Sequence, residues 1–231
     1  MDSYFNLLDD GTYKVIFSPD SGIELQNEAG EIIETSKVNS SLYYDRETKP
    51  KIVTHSDSRA LPFQSASLTL RNYKYLCAID TNSRDVHGRT VSMSVICLGW
   101  WLIEGDYTKF SFTPSHYMEF LDFSGKLERF AWCEFLQLIE KGTDYNGMNT
   151  FEVIVDSDLD DTPSINNRQI PLHDDYYLPS KMELIYASSD KADTVQNKMI
   201  KISDKYASKL LEEFENHFSS PEAINKIPNS Y

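Results

Sequence analysis

The sequence predicts a mixed α/β fold, a single sheet with helices packed on it, preceded by a small β-rich extension. Three observations carry this. Strand-like runs crowd residues 67–112; a helical period appears near residues 127–142 and again at 193–217; and the run FEVIVD between those helices has consecutive apolar residues. An antiparallel meander followed by a helical crossover to a further strand gives a mixed sheet with helices on it.

The extension, residues 1–66, contains YKVIF, IEL and EIIET separated by SPDSG and NEAG. Short β-prone runs between such turn signals read as hairpins. The stretch YYDRETKPKIVTHSDSRALP is polar and holds two prolines, so it reads as a loop or linker. The body, residues 67–231, opens with LTLRNYKYLCAID as a strand and TNSRDVHGRT as a turn. VSMSVICLGWWLI alternates Val91, Met93, Val95 and Cys97 against Ser92, Ser94, Ile96 and Leu98, the period of a second strand. YTKFSF is the third.

LERFAWCEFLQLIEKG reads as a helix with Gly142 as its stop, and Leu127, Ala131 and Leu138 recur at helical spacing. In the next strand Val153, Ile154 and Val155 are adjacent, as in a central strand covered on both faces. A long polar connection, 157–181, leads to the strand MELIYA. The last helix runs from about Asp193 to His217, with Val195, Met199, Ile202, Tyr206 and Leu210 as its buried stripe.

The hydrophobic fraction of 40% and aromatic fraction of 13% argue for a folded chain over a disordered one. Its longest apolar run, near Val95 to Ile103, is broken by Gly99 and too short to span a bilayer. MDSYFNLLDD lacks the basic start of a secretory signal, and Cys77, Cys97 and Cys133 form no CxxC pair. These features lead us to expect a cytoplasmic protein with reduced core thiols and no membrane association. The net charge of −14 argues against gripping nucleic acid through a broad basic surface, though not against touching it at a metal-loaded cleft. P-loop, G-x-S-x-G and H-E-x-x-H motifs are absent from the sequence.

Four acids then stand out. Asp80 ends the first body strand and Asp156 ends the strand after the crossover. If those strands are parallel neighbours, both carboxylates emerge at one sheet edge. Glu134 shares the helical face of Leu127, Ala131 and Leu138, where a carboxylate is costly unless paired or bound to a cation. Asp204 borders the apolar stripe of the last helix, at helical spacing from Ile200, Ala207 and Leu211. Each has a plainer reading: turn residues for Asp80 and Asp156, an arginine partner for Glu134, an amphipathic rim for Asp204. Asp190 follows a strand and is a fifth candidate; His87, in the turn after Asp80, is a candidate proton shuttle or a solvated turn histidine. The run D-S-D-L-D-D from Asp156 resembles the start of a calcium loop, but Asp161 and Asn167 stand where an EF-hand needs Gly and Glu.

Over roughly residues 70–210 the chain resembles the ribonuclease H-like superfamily, through YLCAIDTN, GRTVSMSVICLGW, FEVIVD and YASSDKADTVQNKMIKISDKYA. Within it the nearest likeness is to a poorly characterised bacterial family whose first strand ends in D-E-S-G and whose last helix carries Q-x-A-D-x-x-A. Here Asp80 is followed by Thr81, Asn82 and Ser83. In the helix Asp204 and Ala207 match, while Lys201 and Ser203 replace the glutamine and alanine. The resemblance implies a metal-dependent nuclease, a hydrolase of phosphodiesters, in a bacterial defence or mobile-element setting. It implies Mg²⁺ or Mn²⁺ held by Asp80, Asp156, Asp204 and Glu134, with Asp190 as a further metal ligand, and DNA or RNA as substrate. Carboxylates are hard oxygen ligands suited to such ions. The alternative is a non-enzymatic acidic interaction protein, an inhibitor or accessory subunit with a protein partner, on a degenerate copy of the scaffold.

Overall fold

The computed structural model describes residues 6–7, 11–18, 22–36, 75–103, 106–142, 151–157, 159–190 and 194–227. Among the described residues nine strands form one sheet: β1 (Asn6–Leu7), β2 (Tyr13–Ser18), β3 (Gly22–Gln26), β4 (Ile32–Ser36), β5 (Tyr75–Val86), β6 (Arg89–Ile103), β7 (Asp106–Leu121), β8 (Phe151–Val155) and β9 (Met182–Tyr186). The helices are α1 (Leu127–Lys141), α2 (Thr162–Asn166), α3 (Val195–His217) and α4 (Pro221–Ile224). The sheet order is β4-β3-β2-β7-β6-β5-β8-β9, with β1 also pairing to β7. β5, β6 and β7 are an antiparallel meander, and α1 then crosses over to β8, which runs parallel to β5. β9 adds parallel to β8. This is the mixed α/β sheet with helices packed on it that the sequence predicts, and its strand order and directions are consistent with a ribonuclease H-like fold. The hairpins β2-β3 and β3-β4 extend it beyond β7. Residues 37–74, which hold the expected linker at 43–62, the boundary expected near residue 66 and the first part of the expected body strand, lie outside the described residues.

Side-chain alternation builds two cores. On one face Leu76, Ala78, Val95, Cys97 and Ile154 meet Met199, Ile202 and Tyr206 of α3. The same core takes in Val15, Ile23 and Leu25 of the N-terminal strands, and the Tyr13 and Tyr206 hydroxyls lie 2.9 Å apart. On the other face Cys77, Ile79, Val153 and Val155 meet Trp132, Phe135 and Leu136 of α1. Each fully buried side chain of this size stabilises by about 1.5–3 kcal/mol, so β5 and β8, covered on both faces, are the best-anchored strands. The three cysteines are buried free thiols.

Four details depart from the sequence reading. The segment TNSRDV is strand, not turn: β5 continues to Val86 and only His87 and Gly88 reverse the chain, at φ 53° and 84°. Positive φ at both positions suits the right-handed twist of a two-residue hairpin. The polar residues are accommodated because Thr81 pairs with Ser94 (2.6 Å) and Ser83 with Ser92 (2.7 Å) through their hydroxyls. Next, β7 runs on through Pro114 to Leu121; the register shifts between Ile96 and Cys97, so the proline sits at a bulge, where a missing N–H is tolerated. Third, the buried face of α1 is Ala131, Trp132, Phe135 and Leu136, while Leu138 is 37% exposed and Glu134 half-buried. The larger side chains at i, i+3 and i+4 dictate which face turns inward. Finally, the connection 157–181 is organised: it contains α2, and Arg168 donates to the carbonyls of Asn166, Leu178, Pro179 and Met182.

One buried charge sits in this frame. Glu152, on the α3 face of β8, is 2% exposed and accepts a 2.9 Å hydrogen bond from Gln196. Burial, reinforced by Glu183 on the neighbouring strand, pushes its carboxyl up to about 8. It is therefore mostly protonated at neutral pH, and its proton can serve Gln196 Oε1, which otherwise has no hydrogen-bond partner among the described residues. Because the folded value lies above the ordinary 4.5, wild-type stability falls as pH rises from about 5 through 8. Glu152→Gln, which keeps the amide-like pairing without the titration, is expected to melt higher than wild type at pH 9 and almost equally at pH 5. Equal melting at both pH values would refute this.

Candidate functional site

β5 and β8 are parallel neighbours, with Ile79 opposite Val155. The next residues, Asp80 and Asp156, therefore stand where the parallel pairing ends, Asp80 still within β5 and opposite Val95, Asp156 just past the end of β8. Alternation sends Asp80 to the α3 face, because Ala78 and Leu76 belong to the α3 core. There it meets the field of Asp204 from α3, then of Asp156, then of Glu128 from the first turn of α1. Burial and these like charges push the Asp80 carboxyl up to about 7. Its Oδ2 is buried with no hydrogen-bond partner among the described residues.

Among the described residues the surrounding carboxylates accept from neutral polar donors. Asn82, two residues past Asp80 and so on the same face of the strand, donates from Nδ2 to Asp204 Oδ1 (2.8 Å), to the Asp204 carbonyl (3.1 Å) and to Ser208 Oγ (3.0 Å). The Ser189 backbone N–H donates to Asp156 Oδ2 at 3.1 Å. Burial raises the Asp156 carboxyl against the opposing Ser189 hydrogen bonds, with Asp190 and Asp204 adding to the rise. The Ser157 hydroxyl donates to Glu128 Oε2. Among the described residues no positive side chain is among the influences on Asp80 or Asp156.

Asp80, Asp156 and Asp204 thus act on one another, and Asp190, though exposed, acts on Asp156. Glu134 is not among the charges acting on Asp80; its influence falls on the Cys133 thiol. The helical carboxylate facing Asp80 is Glu128, six residues earlier, which the sequence reading missed. Its signal was available: an acid in the first turn of the helix that follows the meander. Asn82 was legible by its two-residue spacing from Asp80. His87 lies at the tip of the β5–β6 hairpin, seven residues of extended chain or roughly 20 Å from Asp80, so it serves as a turn residue. Asp161 of the D-S-D-L-D-D run is bound by Arg129 at 2.6 Å through both oxygens and precedes α2, which leaves no calcium-loop geometry.

The donor set suits a hard divalent cation: oxygen ligands, uncompensated negative charge and a buried oxygen without a partner. Among the described residues, however, no three His, Cys, Asp or Glu side chains already stand together as a metal-holding group. A cation would have to draw them inward. Beside the acids, a cavity of about 410 Å³ is lined by Thr81, Ser83, Lys126, Leu127, Arg129 and Leu159, with Glu128 at its wall. Among the described residues no helix is long and apolar enough to cross a membrane.

The fold and these side chains together define a class no finer than a mixed α/β sheet that brings carboxylates near one another where the pairing of its central parallel strands ends. No family model matches the sequence, so the D-E-S-G likeness gains no support, and no curated protein matches it. Among solved structures the chain is similar to the foamy viral protease-reverse transcriptase in complex with an RNA/DNA hybrid, at 12% identity and a TM-score of 0.36. That similarity covers 70% of this chain and only 22% of the viral one. The fold class stands on strand order and direction, independently of this likeness.

Proposed function

We propose that the chain is a metal-dependent nuclease whose Mg²⁺ or Mn²⁺ ions are held by Asp80, Asp156 and Asp204, with Glu128 completing the set and Asp190 in reserve. The observation that carries this reading is the unpartnered, buried Asp80 Oδ2 in the combined field of three other carboxylates. A protein with no use for a cation gains nothing from this arrangement, since mutual repulsion and desolvation both weaken the fold. When bound, such ions activate a water and stabilise the leaving oxygen of a phosphodiester. Asn82 keeps Asp204 turned toward β5, and Ser157 keeps Glu128 at the mouth of the site. Glu134, expected from the sequence as the helical ligand, gives way to Glu128 in this proposal. The setting implied by the resemblance, bacterial defence or mobile elements, and a cytoplasmic location remain part of this reading.

The test is hydrolysis of labelled single- and double-stranded DNA and RNA with Mg²⁺ or Mn²⁺, against EDTA. Cleavage is expected with metal only. Asp80→Asn is expected to lower it by on the order of a hundredfold or more, the several kcal/mol attributed to metal-assisted charge stabilisation. Absence of cleavage with either metal, or undiminished cleavage by Asp80→Asn, favours the second reading: an acidic binding protein on the same scaffold. That reading has its own support in the lack of a ready-made three-ligand group among the described residues.

A further inference from the structure

We propose that the cavity between β5 and the start of α1 is a subsite for one nucleotide of an unpaired strand, with Lys126 receiving its phosphate. This rests on the nuclease reading for the identity of the ligand, but its geometry is separate from the carboxylates. The cavity, about 410 Å³, is the size of a small-molecule site rather than a groove for a duplex. Its lining is amphipathic. Leu127 and Leu159 offer apolar surface, which suits the flat face of an exposed base and has no use against a duplex, whose outer surface is phosphate and sugar.

Its charges are nearly balanced. Arg129 is committed to Asp161 through two 2.6 Å hydrogen bonds. Glu128 contributes a negative charge, held by the Ser157 hydroxyl. Lys126 is exposed, lines the cavity and makes no ion pair among the described residues. Without that lysine the cavity would carry net negative charge beside the acidic cluster, and a phosphate would be repelled. The turn that presents it is built for the purpose of reversing the chain tightly: Asp122 and Gly125 both have positive φ, 46° and 123°.

Two hydroxyls complete the lining. Ser94 and Ser92 are buried, at 0% and 2% exposure, and their hydroxyls contact Thr81 and Ser83. Either hydroxyl of each pair can donate, so Thr81 and Ser83 can offer a proton or a lone pair to a ligand in the cavity. The chain's charge of −14 points the same way: it opposes a duplex, with its dense charge, more strongly than one unpaired strand.

The experiment is fluorescence anisotropy of the full chain in EDTA, so that nothing is turned over, with a labelled single-stranded oligonucleotide and a hairpin duplex of the same composition. The single strand is expected to bind about tenfold more tightly than the duplex. Lys126→Glu is expected to weaken single-strand binding about tenfold and to flatten the log K against log salt slope by about 0.7, one phosphate's worth. Lys126→Arg should retain binding and slope. Lys126 is a surface residue, so thermal melts of the variants should match wild type. Equal or tighter duplex binding, indifference to Lys126→Glu, or no oligonucleotide binding by wild type would each overturn the proposal. If Lys126-dependent binding is found but no metal-supported cleavage, the subsite stands and the nuclease reading falls. If cleavage is found with a KM indifferent to Lys126→Glu, the nuclease reading stands and the subsite falls.

Discussion

Asp80→Asn is expected to melt at a higher temperature than wild type in EDTA at pH 8, and to gain nothing when Mg²⁺ or Mn²⁺ is added. Both halves follow from the same carboxyl. Its folded value of about 7 lies above the ordinary 3.8, so folding favours the protonated form. The associated stability is present in full below pH 4 and is lost as pH rises through 7. At pH 8 the ionised group is held where burial, Asp204, Asp156 and Glu128 all oppose it. The shift corresponds to roughly 2–4 kcal/mol, the lower figure allowing for solvent screening at a partly exposed site. Asparagine has no charge to lose and keeps the shape. Wild type should recover with metal, by about 2.7 kcal/mol when the ion is at a hundred times its dissociation constant. For a chain of this length that is a rise of roughly 5–10 °C. A wild-type melt indifferent to both ions, or an Asp80→Asn variant less stable than wild type in EDTA at pH 8, would contradict the cation-holding role.

Why the aspartates were legible and the helical partner was not is a matter of periodicity. A strand has a two-residue repeat, and YLCAID and FEVIVD each close an apolar run on an acid, so they point to Asp80 and Asp156 directly, although β5 itself runs on to Val86. Their convergence required only that the strands be parallel neighbours, which the crossover through α1 supplies. On α1 the apolar residues spread around the helix, and Leu127, Ala131 and Leu138 offered a face as regular as the true one. Packing volume decided between them. Trp132 and Phe135 fill the space against the sheet, Leu138 turns out, and Glu134 is left half-buried at the edge of the packed face. Glu128 was hidden for a different reason: it works from the helix's first turn, where its position is set by the turn at 122–126 and not by the apolar stripe. TNSRDV failed as a turn because turn-prone residues become strand when cross-strand hydroxyls satisfy each other. The link between Glu34 and Lys201, 3.1 Å, and the Tyr13–Tyr206 contact join segments nearly the whole chain apart, and local pattern contains no trace of them.

Arg89 is another long-range tie, and its loss should produce the second large effect. It begins β6, directly after the His87–Gly88 turn, and is only 8% exposed. Its Nε donates to Asp122 Oδ2 at 2.6 Å, and its Nη1 donates to the carbonyls of Ile224 at 3.0 Å and Ile227 at 2.6 Å. One guanidinium therefore joins the β5–β6 hairpin, the turn that follows β7 and the segment that ends α4. The Asp122 carboxylate in turn accepts the Thr90 backbone N–H at 2.8 Å. The Arg89 and Thr90 hydrogen bonds hold the Asp122 carboxyl below the usual carboxylate range, so this contribution persists at neutral pH and fades only on acidification below about 4. Arg89→Ala removes the fork, takes this donor from the Ile227 carbonyl and leaves the Ile224 carbonyl with the Ile227 N–H. A loss of about 3–5 kcal/mol is expected, or roughly 6–20 °C in Tm. Arg89→Lys should recover only part of it, because an ammonium on a flexible stem cannot reproduce the planar fork. A double-mutant cycle with Asp122→Ala separates the carboxylate contact from the two carbonyl contacts. Coupling smaller than the loss in Arg89→Ala alone would assign the remainder to the C-terminal segment, whose amides should then exchange hydrogen faster in the variant. An Arg89→Ala variant that melts within a degree of wild type would mean that the hairpin and the C-terminal segment are held by the α3 core alone.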